Sequence, residues 1–483
     1  MKRGKKMSVM KWIVRILLVF LLYVIAGALL PFAFPKKVSE DYSSKVDPSA
    51  FYGTGTGVDR AAIVETNKEA LDVRIQMIQE AKERIILTTF DIRPGDSCND
   101  VFAALLAAAD RGVKVQVMVD GLYGTVHMSG DPLFYAAGSH PNFEIKFYNV
   151  PNLLMPWTAN GRMHDKYVIV DDKLLLAGGR NTFDYFLGEN QTSNPSYDRE
   201  VLIYNTAYED AANRESVLFE VKDYFDALWE EDSCQYVFDS VPGRLKAKTE
   251  SSAEWLRSHY QEMADQQPEL FAESFDYEAV TMETHKISFI HNPTHIMAKE
   301  PYVWYELEQL MKQAKSGVYI QTPYAVFSKD MYQGMKDIDR AVGQFSMQVN
   351  SVAVGDNFMA SSDYVHNRGK ILDTGVDLYE FQGDHSSHGK SILVDDDIAV
   401  IGSFNLDMRS VYIDTEVMFV IHSEEINRDL NGKIAAMHAQ ALKVGQDGNY
   451  EENPDVPAVQ LPGPKKFLFG ITSWVFQLFR YLI

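Results

Sequence analysis

Two stretches of the chain carry the same chemically capable side chains at the same spacing. Each has a histidine, a lysine two residues later, an aspartate at the eighth position, and then glycine and asparagine. The two sets are His164, Lys166, Asp171, Gly178 and Asn181, and His388, Lys390, Asp395, Gly402 and Asn405. An Asp-x-Glu-Val run follows each set, with Glu200 in the first and Glu416 in the second, although the first copy is eight residues longer between histidine and glutamate. Matching order in two copies indicates an internal duplication.

This spacing suits exchange at a phosphodiester. In a strand, a histidine and a lysine two residues apart point to the same face, so both can approach one anionic group. A neutral imidazole can attack phosphorus, and a second, protonated imidazole can give its proton to the departing alcohol. The duplication supplies both imidazoles, and it therefore predicts one active site containing His164 and His388.

The remaining motif residues have predicted supporting roles. Positive charge and hydrogen-bond donors would stabilise the phosphoryl oxygens, and these groups are Lys166, Lys390, Asn181, Asn405 and Ser403. The first copy has Gly179 where the second has Ser403, so only one copy offers that hydroxyl. Glu200 and Glu416 are each predicted to hold the far nitrogen of an imidazole and fix its tautomer.

Asp171 and Asp395 complete the motif and are grouped with the catalytic residues, although acceptance of hydrogen bonds is favoured over proton transfer. The alternative for the whole pattern is that each His-Lys pair is a solvated strand end, which two matching copies disfavour.

The sequence predicts neither a metal nor a cofactor. His385 and His388 are three residues apart with Asp384 beside them, but Lys390 in the same pocket would repel a cation. Two cysteines, Cys98 and Cys234, are too few for a zinc finger or a disulfide scaffold. We interpret them as unrelated surface thiols, and pairing in an oxidising compartment stays open.

Predicted strands and helices alternate along the chain, and these elements must position the motifs. Strands are predicted at 84–91, 113–120, 317–322 and 345–354, and helices at 67–81, 101–110, 301–315 and 329–340. This alternation predicts an α/β fold with a largely parallel, helix-covered sheet in each half. The polar stretch 246–284 is interpreted as a helical linker or insertion between a first domain, 41–245, and a second, 285–448.

Residues 1–40 form a predicted membrane anchor. Basic residues precede an uncharged apolar stretch at 16–34, close to the length that a membrane-spanning helix needs. The basic excess before this stretch predicts a cytoplasmic start and export of the rest. A cleaved signal peptide is the alternative, since Ala26-Gly27-Ala28 has a small-x-small pattern. Both interpretations place the body outside the cytoplasm.

The last segment, 449–483, is interpreted as a proline-rich linker followed by an amphipathic helix. Apolar side chains recur at helical spacing at Leu468, Ile471, Trp474, Val475, Leu478, Phe479 and Leu482. This pattern is typical of a helix lying in a lipid interface. A helix that packs into the core of the body is the alternative.

The body of the chain is acidic. The net charge is −21, and residues 41–483 hold 38 basic against 66 acidic side chains, a net of −28. Binding to nucleic acid depends on neutralising phosphates, so no nucleic acid partner is expected.

The duplicated H-x-K-x4-D-x6-G-x-x-N pattern resembles the hallmark of the phospholipase D superfamily, over about residues 67–444. The runs Gly178-Gly179-Arg180-Asn181 and Gly402-Ser403-Phe404-Asn405 and their flanks are similar to those of bacterial cardiolipin synthases. The resemblance implies two similar α/β sandwich domains that meet at the motifs, and a metal-independent phosphohistidine mechanism. It also implies that His164 is the nucleophile and His388 the general acid, an order that the sequence alone leaves open.

The same resemblance implies a phosphatidyltransferase that forms cardiolipin from phosphatidylglycerol and a second phospholipid. The expected partners are an anionic phospholipid substrate and a membrane, with the oligomeric state open. The expected location is the bacterial cell membrane, with a single-pass anchor and the catalytic body outside. A phospholipase D type hydrolase, an exported nuclease and a non-enzymatic lipid-binding protein are the alternatives. One departure from the family is the single apolar segment, where a pair is frequent.

Overall fold

The computed structural model describes residues 2–189, 192–272 and 274–483. The chain begins with helix α1 (Lys2–Leu29). Within the described residues, Met10–Phe32 is the one helical stretch long and apolar enough to cross a membrane, and none of its most apolar part is buried against the body. The apolar segment predicted at 16–34 is therefore helical as far as Phe32 and largely exposed, except that Phe32 itself is buried.

The body contains two halves with similar elements. The strands of the first half are β1 (Asp59–Val64), β2 (Arg84–Thr89), β3 (Lys114–Asp120), β4 (Phe143–Tyr148), β5 (Tyr167–Val170), β6 (Leu174–Gly178), β7 (Glu200–Asn205), β8 (Cys234–Val237) and β9 (Met282–Glu283). Its helices are α2 (Glu40–Ser43), α3 (Asn67–Glu80), α4 (Asp96–Asp110), α5 (Gly121–His127), α6 (Pro132–Gly138), α7 (Leu218–Trp229), α8 (Lys246–Gln266) and α9 (Tyr277–Val280).

The second half contains a similar set of strands and helices. Its strands are β10 (Lys286–His291), β11 (Val318–Gln321), β12 (Ala325–Val326), β13 (Phe345–Asn350), β14 (Asp377–Phe381), β15 (Ser391–Val394), β16 (Ile398–Gly402), β17 (Leu406–Asp407), β18 (Val417–His422) and β19 (Ala441–Lys443). Its helices are α10 (Tyr302–Met311), α11 (Lys329–Ala341), α12 (Phe358–Leu372), α13 (Met408–Tyr412), α14 (Glu424–His438) and α15 (Gly463–Val475).

Each half forms one mixed sheet. The strand order is β8-β4-β3-β2-β5-β6-β7-β1-β9 in the first and β10-β18-β16-β15-β11-β13-β14-β19 in the second. Only β2–β3–β4 and β11–β13–β14 are parallel within these sheets, so the prediction of largely parallel sheets is wrong. The duplicated motif is the reason, because β5–β6 and β15–β16 are tight hairpins, and a short turn joins only antiparallel strands.

Alternation along the central strands divides the apolar side chains between two faces. Ile85 and Leu87 of β2 pack in a core with α3, α4 and α8, whereas Ile86 points to the opposite face. Leu393 of β15 points to that same inner layer from the second sheet. The inner faces of both sheets, together with α7 and α14, form a shared central core. The two halves are therefore held together by a continuous apolar layer beneath the histidines.

The segment 246–284 packs against the first half. Helix α8 contacts α4 and α6, and Leu256 is fully buried there. Strand β9 then pairs with β1. Beneath α8, Cys98 of α4 is buried, so our interpretation of it as a surface thiol is wrong, and both cysteines are free.

Candidate active site

Each motif histidine lies at the boundary between the two halves, just before a central strand of its own sheet. Met163 and Thr415 form an isolated β-bridge across this boundary, and Tyr197 and Ser387 form another. The backbone N–H of His388 donates to the carbonyl of Tyr197 at 2.6 Å. The start of each histidine strand is thus paired with the Asp-x-Glu segment of the other half.

This pairing gives each imidazole a carboxylate partner from the other copy. His164 Nδ1 lies 2.8 Å from Glu416 Oε1, and His388 Nδ1 lies 2.7 Å from Asp198 Oδ2. Both carboxylates are fully buried. A carboxylate that accepts from Nδ1–H fixes the tautomer and leaves Nε2 available for chemistry. The structure therefore brings Glu416 to a motif histidine, as predicted.

The prediction that Glu200 holds an imidazole is wrong. Arg74 donates to both carboxylate oxygens of Glu200 at 2.8 and 2.5 Å, and Arg180 lies 3.6 Å away. Asp198, two residues earlier, holds His388 instead. The sequence analysis noted Asp198 in the Asp-x-Glu run but assigned the contact to the wrong acidic residue.

The two β-bridges across the boundary differ in register, and this difference explains why Asp198 rather than Glu200 holds His388. In the aligned copies Thr415 corresponds to Arg199, yet the second bridge uses Tyr197. The shift is two residues, which keeps the same face of an extended chain towards the histidine. The aspartate of the first copy therefore occupies the place that the glutamate occupies in the second.

The contact between Asp198 and His388 requires glycine at position 179. At the equivalent position of the second copy, Ser403 supports the contact between Glu416 and His164. A Cβ at Gly179 would lie 2.4 and 2.6 Å from the two carboxylate oxygens of Asp198. At the equivalent position Ser403 Oγ donates to Glu416 Oε2 at 2.5 Å. The predicted phosphate-binding role of Ser403 stays a prediction, and in this structure its hydroxyl holds the carboxylate.

Gly179→Ala is expected to lower kcat about 100-fold, because the new methyl group displaces Asp198 from His388, and misplacement of a catalytic group by about 1 Å has effects of this size. Ser403→Ala is the matched control at the equivalent position. It removes one hydrogen bond to Glu416 without a clash and is expected to cost about tenfold. Steady-state kinetics of the two variants checks this difference, and equal losses would contradict it.

The side chain of each motif lysine contacts the histidine of the same copy. Lys166 Nζ donates to the carbonyl of His164 at 2.6 Å. Lys390 Nζ donates to the carbonyl of His388 at 2.5 Å and lies 2.6 Å from Nδ1 and 3.0 Å from Nε2 of its imidazole. Burial lowers the pKa of both lysines, that of Lys166 to about 7. Their positive charge beside two imidazoles is suited to an anionic substrate.

The electrostatic surroundings of the two histidines differ. Burial, then the charges of Lys166 and Lys390, place the pKa of His164 well below its ordinary value, so this imidazole is neutral. Burial and Lys390 also lower the pKa of His388, but Asp198 opposes them. Burial would raise the pKa of Asp198, yet Lys390 and His388 outweigh it and bring that pKa to about 2. His388 therefore has an ionised partner that favours its protonated form.

At the carboxylate beside the other histidine, burial outweighs the neighbouring positive charge of Lys166. It holds the pKa of Glu416 well above its ordinary value. The two copies are consequently not equivalent, although their sequences are nearly so.

The motif asparagines are buried in the segments that follow β6 and β16. The Oδ1 atoms of Asn181 and Asn405 have no hydrogen-bond partner among the described residues. Buried side-chain amides are normally satisfied, so these two oxygens are available to a donor group of a ligand, whereas phosphate oxygens would accept from Nδ2. Their predicted role in binding phosphate stays a prediction.

Aromatic side chains enclose both imidazoles. The ring of Phe90 meets His164 edge-on at 5.0 Å, and Phe186 and Tyr324 lie 5.1 and 6.1 Å from His388. The histidine residues are only 8 and 7% exposed. Among residues 2–189, 192–272 and 274–483, no cluster of three or more His, Cys, Asp or Glu side chains could hold a metal ion.

Asp171 and Asp395 lie at the far ends of β5 and β15. Each lies seven positions after its histidine, which corresponds to at most about 23 Å of extended chain. Asp171 accepts hydrogen bonds from the backbone N–H groups of Lys82, Glu83 and Arg84, and Asp395 accepts equivalent bonds before β11. Both have positive φ, 54° and 53°, at the hairpin turn. Grouping them with the catalytic residues is wrong, and the favoured role as hydrogen-bond acceptors is confirmed.

Asp171→Ala is expected to lower the free energy of unfolding by about 3 kcal/mol, because three backbone donors lose a charged acceptor and alanine disfavours positive φ. The kcat of the folded variant should not change. Urea unfolding together with an assay of the folded fraction measures both quantities. A loss of kcat at unchanged stability would contradict the structural role.

Comparison with known proteins gives three related findings. A family model described as "Cardiolipin synthase, PLD-like domain" matches the chain twice, at residues 74–205 and 307–438. Cardiolipin synthase C of Escherichia coli K12 is 26% identical over 403 residues, covering 75% of this chain and 81% of the relative. Cardiolipin synthase B of the same organism is 27% identical over 393 residues, covering 78 and 81%.

A solved structure matches almost the whole body. The crystal structure of phosphatidylserine synthase from Haemophilus influenzae Rd KW20 superimposes with a TM-score of 0.63 and 15% identity, covering 88% of this chain and 95% of that chain. At this identity the likeness concerns the fold. The two ranges of the family match contain the two motifs described above.

Proposed function

Because the chain belongs to the family of cardiolipin synthase, PLD-like domains, we propose that it is a phosphatidyltransferase that forms cardiolipin from phosphatidylglycerol and a second phospholipid. The chain is an enzyme of the phospholipase D superfamily, and the relatives in Escherichia coli support the narrower activity. The observation that carries the proposal is the pair of buried histidines, each held by a carboxylate of the other half.

In the first half-reaction, His164 Nε2 attacks the phosphorus of the donor lipid. A P–N bond forms, the P–O bond to the headgroup glycerol breaks, and His388 gives its proton to the departing oxygen. The neutral state of His164 and the ionised partner of His388 support this order. Lys166 and Lys390 stabilise the charge on the phosphoryl oxygens, and Asn181 and Asn405 are proposed to donate to the same oxygens.

In the second half-reaction, a hydroxyl of the second phospholipid replaces the lost glycerol. His388, now neutral, takes the proton of that hydroxyl, whose oxygen attacks phosphorus while the P–N bond breaks. Water in the same place would give phosphatidic acid. The aromatic enclosure and the low exposure of both histidines support transfer over hydrolysis.

The membrane arrangement is part of the proposal. Helix α1 is proposed to span the membrane once through Met10–Phe32, with the catalytic body on the outer side. Basic residues that precede the apolar stretch support this orientation. The anchor would keep the site beside its lipid substrates.

The test uses the purified full chain with vesicles whose phosphatidylglycerol carries isotope-labelled headgroup glycerol. We expect mass spectrometry to find one labelled glycerol released for each cardiolipin formed. Mixing differently labelled lipids identifies the acceptor. Phosphatidic acid without cardiolipin would contradict the proposal in favour of hydrolysis, and degradation of DNA without lipid turnover would favour a nuclease.

A further inference from the structure

The C-terminal segment turns its polar side chains towards the body. After α15, it continues as two 3-10 turns, Phe476–Leu478 and Arg480–Leu482. Arg480 forms an ion pair with Asp363 of α12 at 2.9 Å, and Gln477 donates to the same carboxylate at 2.9 Å. Thr472 Oγ1 lies 2.9 Å from the hydroxyl of Ser362. The polar side of this segment therefore binds α12, together with Phe469, whose ring packs on Phe358 of the same helix.

Six apolar side chains of the same segment face outward, whereas Phe469 is buried. Between 46 and 73% of each is exposed, and the set comprises Phe467, Leu468, Ile471, Trp474, Val475 and Leu478. A helix on the surface of a soluble protein has the reverse arrangement, with its apolar side on the core. Lys465 and Lys466 are exposed at the start of the helix.

The end of this segment lies beside the end of the proposed anchor. Arg409 Nη1 donates to Asn160 Oδ1 and to the carbonyl of Leu482, both at 3.3 Å, and Asn160 Nδ2 donates to the carbonyl of Ala28 in α1 at 2.8 Å. Two side chains thus connect the two ends. The end of the C-terminal segment therefore lies at the level where α1 would leave the bilayer.

An exposed apolar loop lies along the anchor itself. Leu153, Leu154 and Met155 are 68, 70 and 42% exposed, and Tyr23 of α1 donates to the carbonyl of Leu154 at 2.7 Å. Tyr23 is five residues before Ala28, where Asn160 of the body already contacts α1. At 1.5 Å per residue the loop contact is about 8 Å further along the proposed span. The loop therefore lies beside the part of α1 that would enter the lipid.

We propose that the outward apolar side chains of residues 467–478 and the loop Leu153–Met155 form one lipid-docking surface, which seats the body on the anionic phospholipid bilayer that α1 crosses. This inference rests on the membrane span in the proposed function. Lys465 and Lys466 complement anionic headgroups, and the apolar side chains enter the interface. Arg409 also pairs with Asp414, which accepts from the backbone N–H of Arg162, two residues before His164. Docking thereby places the active site beside its lipids.

Fluorescence of Trp474 tests the insertion independently of activity. The full chain and its W474F variant are placed in phosphatidylglycerol vesicles with brominated acyl chains. We expect bromine to quench the component of emission that the variant lacks, most strongly when it lies near the headgroup, because interfacial helices lie about 5–10 Å deep. Emission of Trp474 that is indifferent to bromine would overturn the proposal.

Turnover of a double variant, Ile471→Asp with Leu478→Asp, tests the consequence. On vesicles we expect at least a roughly tenfold loss, because two apolar side chains no longer enter the lipid. In detergent micelles, where substrate is delivered directly, turnover should stay within about twofold of the unaltered protein, as for other surface substitutions. Val280→Asp, which changes an exposed apolar residue of the first half, is the control.

The outcomes separate this inference from the proposed function. If the unaltered protein made no cardiolipin in vesicles or micelles, the proposed function would fail, whereas quenching of Trp474 would still support the docking surface. Equal turnover of the double variant and Val280→Asp on vesicles would overturn the docking surface alone. A dimer that dissociates in the double variant, without quenching by bromine, would assign the face to a second copy and would also overturn it.

Discussion

His388→Ala is expected to lower kcat on phosphatidylglycerol by at least about 10⁴-fold, because the leaving alkoxide has no proton donor. A phosphodiester with a p-nitrophenyl group avoids this need, since nitrophenolate departs unprotonated. His388→Ala should therefore still release about one nitrophenolate per enzyme in a rapid burst. His164→Ala should release none, because it lacks the nucleophile. Stopped-flow absorbance measures the burst.

His259→Ala is the control for the loss of a histidine. His259 lies on α8 and pairs with Asp100, outside the candidate site. Its kcat should match that of the unaltered protein. A burst from His164→Ala but not from His388→Ala would exchange the two roles, and equal behaviour of the two variants would contradict the asymmetry of the site.

Asp198→Asn is expected to lower kcat about 10³-fold, because an amide stabilises a protonated His388 far less than an ionised carboxylate does. The pH dependence gives a second signature. Asp198 opposes the fall in the pKa of His388, so its loss lowers that pKa further. Protonated His388 then becomes scarcer at neutral pH, and the optimum of kcat moves to lower pH. The pH–rate profile measures this shift, which a merely structural role would not produce.

Glu200→Gln separates this effect from the loss of any buried acid near the start of β7. Glu200 binds Arg74 and Arg180, so the variant leaves buried positive charge unpaired. We expect its free energy of unfolding to fall by about 3 kcal/mol, with the pH optimum unchanged. If Glu200→Gln moved the optimum and Asp198→Asn did not, Glu200 would be the positioning residue after all.

The sequence analysis located several of the longer helices, but not α7, α12 and α14, and not how the strands pair. The predicted helices at 67–81 and 329–340 correspond to α3 and α11, because apolar spacing along a helix is a local property. Strand direction depends on partners distant in the chain. Alternation of helix and strand suggested parallel sheets, whereas the hairpins of the motif itself make most of each sheet antiparallel.

The histidines and lysines of the site could be predicted, but not all of their partners. Spacing within one copy places His388 and Lys390 together. The choice between Asp198 and Glu200 depends on the register across the two halves, which no pattern within one copy contains. One local signal existed, because Gly179 stands opposite Ser403 in the alignment and leaves room for the carboxylate of Asp198.

Trapping the covalent intermediate tests the central claim most directly. His388→Ala is mixed with the p-nitrophenyl phosphodiester and quenched at alkaline pH, and the peptides are analysed by mass spectrometry. We predict one phosphodiester adduct on the imidazole of His164, absent from the His164→Ala protein. An adduct on another residue, or release of nitrophenolate with no adduct at any time, would contradict a phosphohistidine mechanism at this site.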